Sequence, residues 1–265
     1  MRNFNHSDDL RGAAFVDVSV RGARFTRSDL SGVVMRAVDV SGADIDAPWL
    51  LDGESVLLVN GVDVAPLVEA ELNRRFPGRE ERRAEDPDGL RAAWGKVEAA
   101  WAAALDRVEA MPAGTTDVSV DGEWSFAQTV RHLVMATDTW LRKAVLGEEE
   151  PYHPLGLPNA EYETDGYDMA VFVSTTPSYA DVLEVRSGRM AMVRDFLAGV
   201  TADDLRVTRA NPWGPEHPES TLSCLHTIFE EEWEHLRYAC RDLDALGLRT
   251  EPDASEQTLG GRDSG

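Results

Sequence analysis

The chain has 265 residues, 43% of them hydrophobic, enough for one large domain or two small ones that each bury a core. Its 48 acidic residues against 26 basic ones give a formal charge of -22, which repels nucleic-acid phosphates and anionic membranes, so neither is expected as a partner. No run reaches ~18 consecutive apolar residues, and the start, MRNFNHSDDLRG, lacks the basic patch and apolar run of a signal peptide, so the expected compartment is the cytoplasm.

The first element is a repeat. Stepping by five from Leu10 gives Phe15, Val20, Phe25, Leu30, Met35, Val40, Ile45 and Leu50, an unbroken apolar ladder, with a mostly small residue two positions before each rung from Phe15 to Ile45. This period is neither that of a strand nor that of a helix, and a fixed internal repeat reads first as a solenoid. The segments DLRGA, RGARF, SDLSG and SGADI resemble the pentapeptide-repeat family. The resemblance implies a right-handed quadrilateral β-helix with the central residues turned inward, and residues 8–50 would make about two coils, fewer than the three repeats a solenoid needs to stand alone. Some acidic members of that family mimic DNA and bind topoisomerases, but two coils make a poor rod for it. A docking or stabilising extension is the expected role.

The next segment, SVLLVNGVDVAPLVEAELNRRF, predicts a hairpin turning at Asn60-Gly61, then a helix opened by Pro66 and running to about Phe76. It closes a first module, 1–76. A charged linker, 77–87, leads to a second module, 88–247, with four helical patterns: 90–111, 125–146 with a capping box at Ser125 and Gln128, a third from Ser178 carrying Leu183, Met190, Val193 and Leu197, and 220–246. Residues 248–265 are polar and Gly-rich and read as a disordered tail. The fold class is α+β by modules: a short right-handed pentapeptide-repeat β-helix followed by an all-α four-helix bundle.

Cys224 and Cys240 fall in one predicted helix, ~24 Å apart, so they cannot pair and read as free thiols filling the core. Basic residues are nearly all Arg, with Lys96 and Lys143 the exceptions, a composition that suits a GC-rich bacterial genome.

Bundle cores are where polar side chains on facing helices build metal sites, so the histidines decide the chemistry. His6, His153 and His217 lie in loop segments, whereas His132, His226 and His235 are helical. In the last helix Glu230 and Glu234 share a face with Arg237 and Arg241, a solvated, salt-bridged surface. Glu231 instead lies one turn before His235 on a mostly apolar strip with Cys224, Ile228 and Tyr238, where an unpaired carboxylate would be costly. Glu232 is the rival for the carboxylate role, and His226 is out of phase with His235. On the second helix His132 faces Gln128, Thr129, Met135, Ala136 and Thr139, an uncharged arc with several small groups. Trp124, Trp140 and Trp233 are candidates either for a pocket mouth or for the core.

The segments GEWSFAQTVRHLVMATDTWLRKAVLG and EEEWEHLRYACRDL, a helix-two His paired with E-x-x-x-H in the last helix, resemble the DinB-like superfamily, which includes mycothiol-dependent maleylpyruvate isomerase. The likeness spans about 88–246. It implies one divalent metal held by His132, Glu231 and His235, zinc first, with nickel, iron or manganese as alternatives. Many relatives have His where this chain has Glu231.

Three ligands leave open positions, the arrangement of catalytic rather than structural zinc. The first functional expectation is a transferase using a low-molecular-weight thiol, such as mycothiol, as a metal-bound thiolate against an electrophilic substrate. The second is a hydrolase, for which Glu232 and His153 are weak general bases. The third is a non-enzymatic binding or scaffold protein braced by the metal. A homodimer is compatible with each.

Overall fold

The computed structural model describes residues 4–5, 8–51, 53, 55–159, 162–163, 165–214 and 216–250, with the backbone alone at 249 and 250. The expected tail from 251 and the loop residue His6 lie outside the described residues. The chain divides into two compact units, Met1–Asp46 and Ala47–Gly265, so the hairpin and the helix after it group with the bundle.

The repeat of the first unit takes a conformational period of ten. Gly12, Gly22, Gly32 and Gly42 each turn the chain with φ between 71° and 74°, while Asp17, Arg27 and Ala37, halfway between, also hold positive φ. At each glycine corner an amide (Ala13, Ala23, Val33, Ala43) donates to the carbonyl three residues back, at 2.9 to 3.1 Å. Asp29 and Asp39 accept the amides of Ser31 and Ser41, tightening the same corners. Alternate pentads therefore use different corners, one glycine and one not.

The inward-facing β-helix expected here is not seen among the described residues. Among the described residues 8–46 there is no strand, and the rungs are exposed: Phe15 64%, Phe25 65%, Met35 54% and Ile45 63%. The backbone bonds at Ala13, Ala23, Val33 and Ala43 close individual corners, and two coils supply too few stacked repeats to enclose an interior.

In the second unit a 3-10 turn, Pro48–Leu51, precedes the hairpin of β1 (Leu58–Val59) and β2 (Val62–Asp63), with Val59 opposite Val62. Asn60 and Gly61 both take positive φ, as a two-residue hairpin turn of this hand requires. Helix α1 (Ala65–Arg75) follows, with Pro66 in its first turn, where a missing N–H costs nothing. The linker then forms a 3-10 turn, Arg79–Arg83, that is docked: Arg79 and Arg82 are buried, and both bind Glu69 at 2.9 Å.

The bundle consists of α2 (Pro87–Glu109), α3 (Phe126–Thr137), α4 (Tyr179–Gly199) and α5 (Thr221–Thr250). Asp86 caps α2, Ser125 and Gln128 form the expected capping box on α3, and Ser178 caps α4. The second predicted helix does not run through as α-helix, because residues Asp138–Val145 are wound as a π-helix. A minimal pair, β3 (Thr208–Arg209) with β4 (Glu219–Ser220), leads into α5. Helix α3 packs on α4 and α5, and α2 packs on both as well. Leu90, Trp94, Leu133, Leu141, Val193, Leu225 and Phe229 fill the shared core, with Trp94 set edge-on to Phe229 at 5.6 Å. Among the described residues no helix is long and apolar enough to cross a membrane.

Candidate metal centre

Helices α3 and α5 bring His132, Glu231 and His235 together. One ligand atom from each falls within 4.8 Å of the others. Glu231 and His235 are a turn apart on α5, so the helix itself sets their spacing. The two imidazole rings lie 4.7 Å apart and nearly parallel.

Each imidazole is oriented through its other nitrogen. His132 Nδ1 is 2.9 Å from the Leu157 carbonyl, and His235 Nδ1 is 2.9 Å from the Glu231 carbonyl. A carbonyl only accepts, so both Nδ1 atoms carry a proton, which leaves Nε2 of each ring as the nitrogen free to turn to a metal ion. The Glu231 Oε2 atom stands 3.4 Å from His132 Nε2 and 3.3 Å from His235 Nδ1. That oxygen is buried and without a hydrogen-bond partner. A divalent ion among the three side chains would satisfy that oxygen. The residues present therefore fit a divalent ion.

The electrostatics agree. Burial works against the Glu231 carboxylate, but the His132 and His235 imidazoles outweigh it and bring its pKa down to about 2. Burial and the His132 ring push the His235 pKa down to about 4. At neutral pH the site thus offers an ionised carboxylate and an unprotonated His235 imidazole, ready to coordinate.

The loop 154–158 holds His132 in place. Arg131, next to it on α3, donates from Nε to the Leu155 carbonyl at 2.9 Å and from Nη2 to the Gly156 carbonyl at 3.4 Å. The Leu157 amide returns to the Arg131 carbonyl at 3.1 Å. Gly156 sits at a close approach: a Cβ there would lie 3.2 Å from the His153 carbonyl, Met135 Cβ and Phe172 Cε1, tighter than ordinary contact. Trp124 lies beside both rings, its centroid 4.6 Å from that of His132 and 6.1 Å from that of His235.

The remaining sequence candidates are placed elsewhere. Glu232 is fully buried in an ion pair with Arg186 of α4, so it is not a ligand beside Glu231. Burial pushes its carboxyl up despite that arginine. His226 Nε2 meets the Ala84 carbonyl at 2.9 Å, tying the linker to α5. His153 lies in the connection after the π-helix, where its amide donates to Asp138 at 2.8 Å and its Nδ1 accepts the Leu155 amide. His217 is exposed, and Cys224 and Cys240 are free thiols. Trp140 packs against the core. Neither Arg186 nor the Leu157 carbonyl could be recognised as a partner from local sequence, since both depend on contacts across the fold.

Among known proteins, the family model described as the DinB superfamily matches residues 96–239, which take in all three candidate ligands. No curated protein and no solved structure matches the chain.

Proposed function

The chain belongs to the DinB superfamily, a metal-binding group, and from that premise we propose that it is a divalent-metal-dependent enzyme transferring a low-molecular-weight thiol, such as mycothiol, to an electrophile. The observation that carries the metal is the unpaired, buried Glu231 Oε2 set 3.4 Å from His132 Nε2. A divalent ion there, zinc by the nitrogen and oxygen donor set, supplies the acidity that turns a bound thiol into thiolate at neutral pH. His132, Glu231 and His235 would hold it. Two neutral imidazoles and one carboxylate leave such an ion with a net positive charge that one thiolate cancels, so a monoanion suits the site better than a second dianion.

The chain's own residues do the rest. Leu157 and the Glu231 carbonyl fix the imidazole tautomers, and Arg131 fixes the loop that carries Leu157. The hydrolytic alternative is weaker because its candidate bases are engaged: Glu232 with Arg186, and His153 with Leu155 and the Asp138 cluster. The test is thiol-dependent conjugation of 1-chloro-2,4-dinitrobenzene by the zinc-loaded protein with mycothiol. Turnover should vanish in His132→Ala. Turnover that is unchanged in that variant, or water release of a carboxylate ester without thiol, would reject the transferase reading.

A further inference from the structure

Asp138 follows His132 by six residues, opens the π-helix and is fully buried. Such π-turns are rare and occur mostly at functional sites. Asp138 Oδ1 accepts Arg189 Nε of α4 at 2.5 Å and Arg142 Nη1 at 3.4 Å. Its Oδ2 takes the main-chain amide of His153 at 2.8 Å, with Arg189 Nη2 farther off at 3.4 Å. A carboxylate that served to neutralise the arginine of α4 alone would have no need of a loop amide. At a rise of ~1.5 Å per residue Asp138 stands about 9 Å along the helix from His132, so any influence on that ring must pass through the loop.

His153 begins a closed turn that carries this influence. Its carbonyl accepts the Gly156 amide at 2.9 Å, and its Nδ1 accepts the Leu155 amide at 3.1 Å. Arg142 holds the Pro151 carbonyl just before it. The next residue after the turn is Leu157, whose carbonyl meets His132 Nδ1 at 2.9 Å. The segment is thus fastened at both ends to the helical stretch that carries His132: by Asp138 at residue 153, and by Arg131 and His132 at residues 155 and 157. We propose that Asp138 is a positioning residue of the metal centre: by holding the His153 amide it keeps the Leu157 carbonyl on His132 Nδ1, which leaves Nε2 free for the ion.

This role rests on the metal centre and holds whatever reaction the ion serves. With the amide released, the turn can move, and the His132 ring loses the acceptor that selects its tautomer. Outer partners of this kind typically change metal affinity about 10–100-fold. A purely structural Asp138 predicts a different result. Its loss would destabilise the fold by leaving Arg189 buried without its anion, but the folded protein would bind metal as before.

The experiment compares Asp138→Ala with Arg189→Met in the full-length protein. Both break the same buried ion pair, whereas the first alone removes the acceptor of the His153 amide. Zinc affinity, read by competition with a chromogenic chelator, should fall about 10–100-fold in Asp138→Ala and less than about threefold in Arg189→Met, while urea unfolding shows both destabilised. Long-range proton–nitrogen NMR of the metal-free proteins should find His132 protonated at Nδ1 in the wild type and in Arg189→Met, and a mixture of tautomers in Asp138→Ala. Equal losses of affinity in the two variants, or an unchanged affinity or tautomer in Asp138→Ala, would overturn the proposal. If Asp138→Ala does not fold, His153→Pro against His153→Ala asks the same question, because both lose the imidazole and proline alone loses the amide. Proline should then cost about tenfold more zinc affinity than alanine, and equal losses would overturn the proposal. A wild type that binds no zinc would reject the metal centre, and the tautomers in the metal-free spectra would then decide the role of Asp138.

Discussion

Glu231→Gln tests the metal centre through zinc linkage, because it keeps the shape of the site and removes its charge. In the metal-free protein the His132 and His235 imidazoles favour the ionised Glu231 carboxylate and hold its pKa at about 2, below the ordinary 4.5. The amide of glutamine has nearly the same shape but no charge. The stability that the lowered pKa represents at pH 8 is lost with the charge, so the apo variant should melt below the wild type. Zinc should then act on the wild type alone. At a free concentration about 100 times Kd, linkage stabilises the wild type by about 2.7 kcal/mol, or about 5–11 °C in Tm for a unit of this size, and most of that shift should disappear in the variant. Calorimetry at pH 8, with chelator and then with zinc, reads both effects. A variant that keeps the full zinc shift would refute the reasoning.

Other perturbations probe the surroundings of the site. Gly156→Ala should displace the loop that presents Leu157 and lower zinc affinity about 10–100-fold with the helices intact, as measured by competition with a chromogenic chelator. Arg186→Ala leaves Glu232 buried without its cation and should cost about 3–5 kcal/mol in urea unfolding, while Arg186→Met combined with Glu232→Leu should recover most of the loss. In the metal-free protein the His235 pKa of about 4 lies below the ordinary 6.5 of an unfolded chain. The unfolded state therefore binds more protons between those values, and stability should be lost as pH falls from 6.5 towards 4. His235→Gln should flatten that part of the urea-midpoint profile.

The parts of this fold that local chemistry dictates are legible in the sequence. Ser125 with Gln128 and Ser178 with Asp181 mark the starts of α3 and α4, and Asn60-Gly61 marks the hairpin. Part of the candidate cluster is legible for the same reason: a one-turn spacing places Glu231 beside His235 whatever the tertiary structure, whereas His132, on another helix, is pointed to only by the family resemblance. What resists reading depends on distant partners. The π-helix begins at Asp138, which is fully buried and receives Arg189 Nε from 51 residues away at 2.5 Å. Arg79 and Arg82 look like an exposed charged linker until Glu69 and Glu234 are seen to meet them. Glu232 and Glu231 are adjacent in sequence, and only Arg186 on a neighbouring helix decides which one is tied away from the imidazoles. The N-terminal ladder shows the converse: a clear five-residue period does not tell whether enough coils stack to give it an inside.

The central claim is that His132, Glu231 and His235 hold one divalent ion. Elemental analysis of the full-length protein, after zinc loading and exhaustive dialysis, tests it most directly. One zinc per chain in the wild type, falling close to zero in His132→Ala and in His235→Ala, is the predicted result. Substoichiometric zinc in the wild type, or the same zinc content in all three proteins, would contradict it.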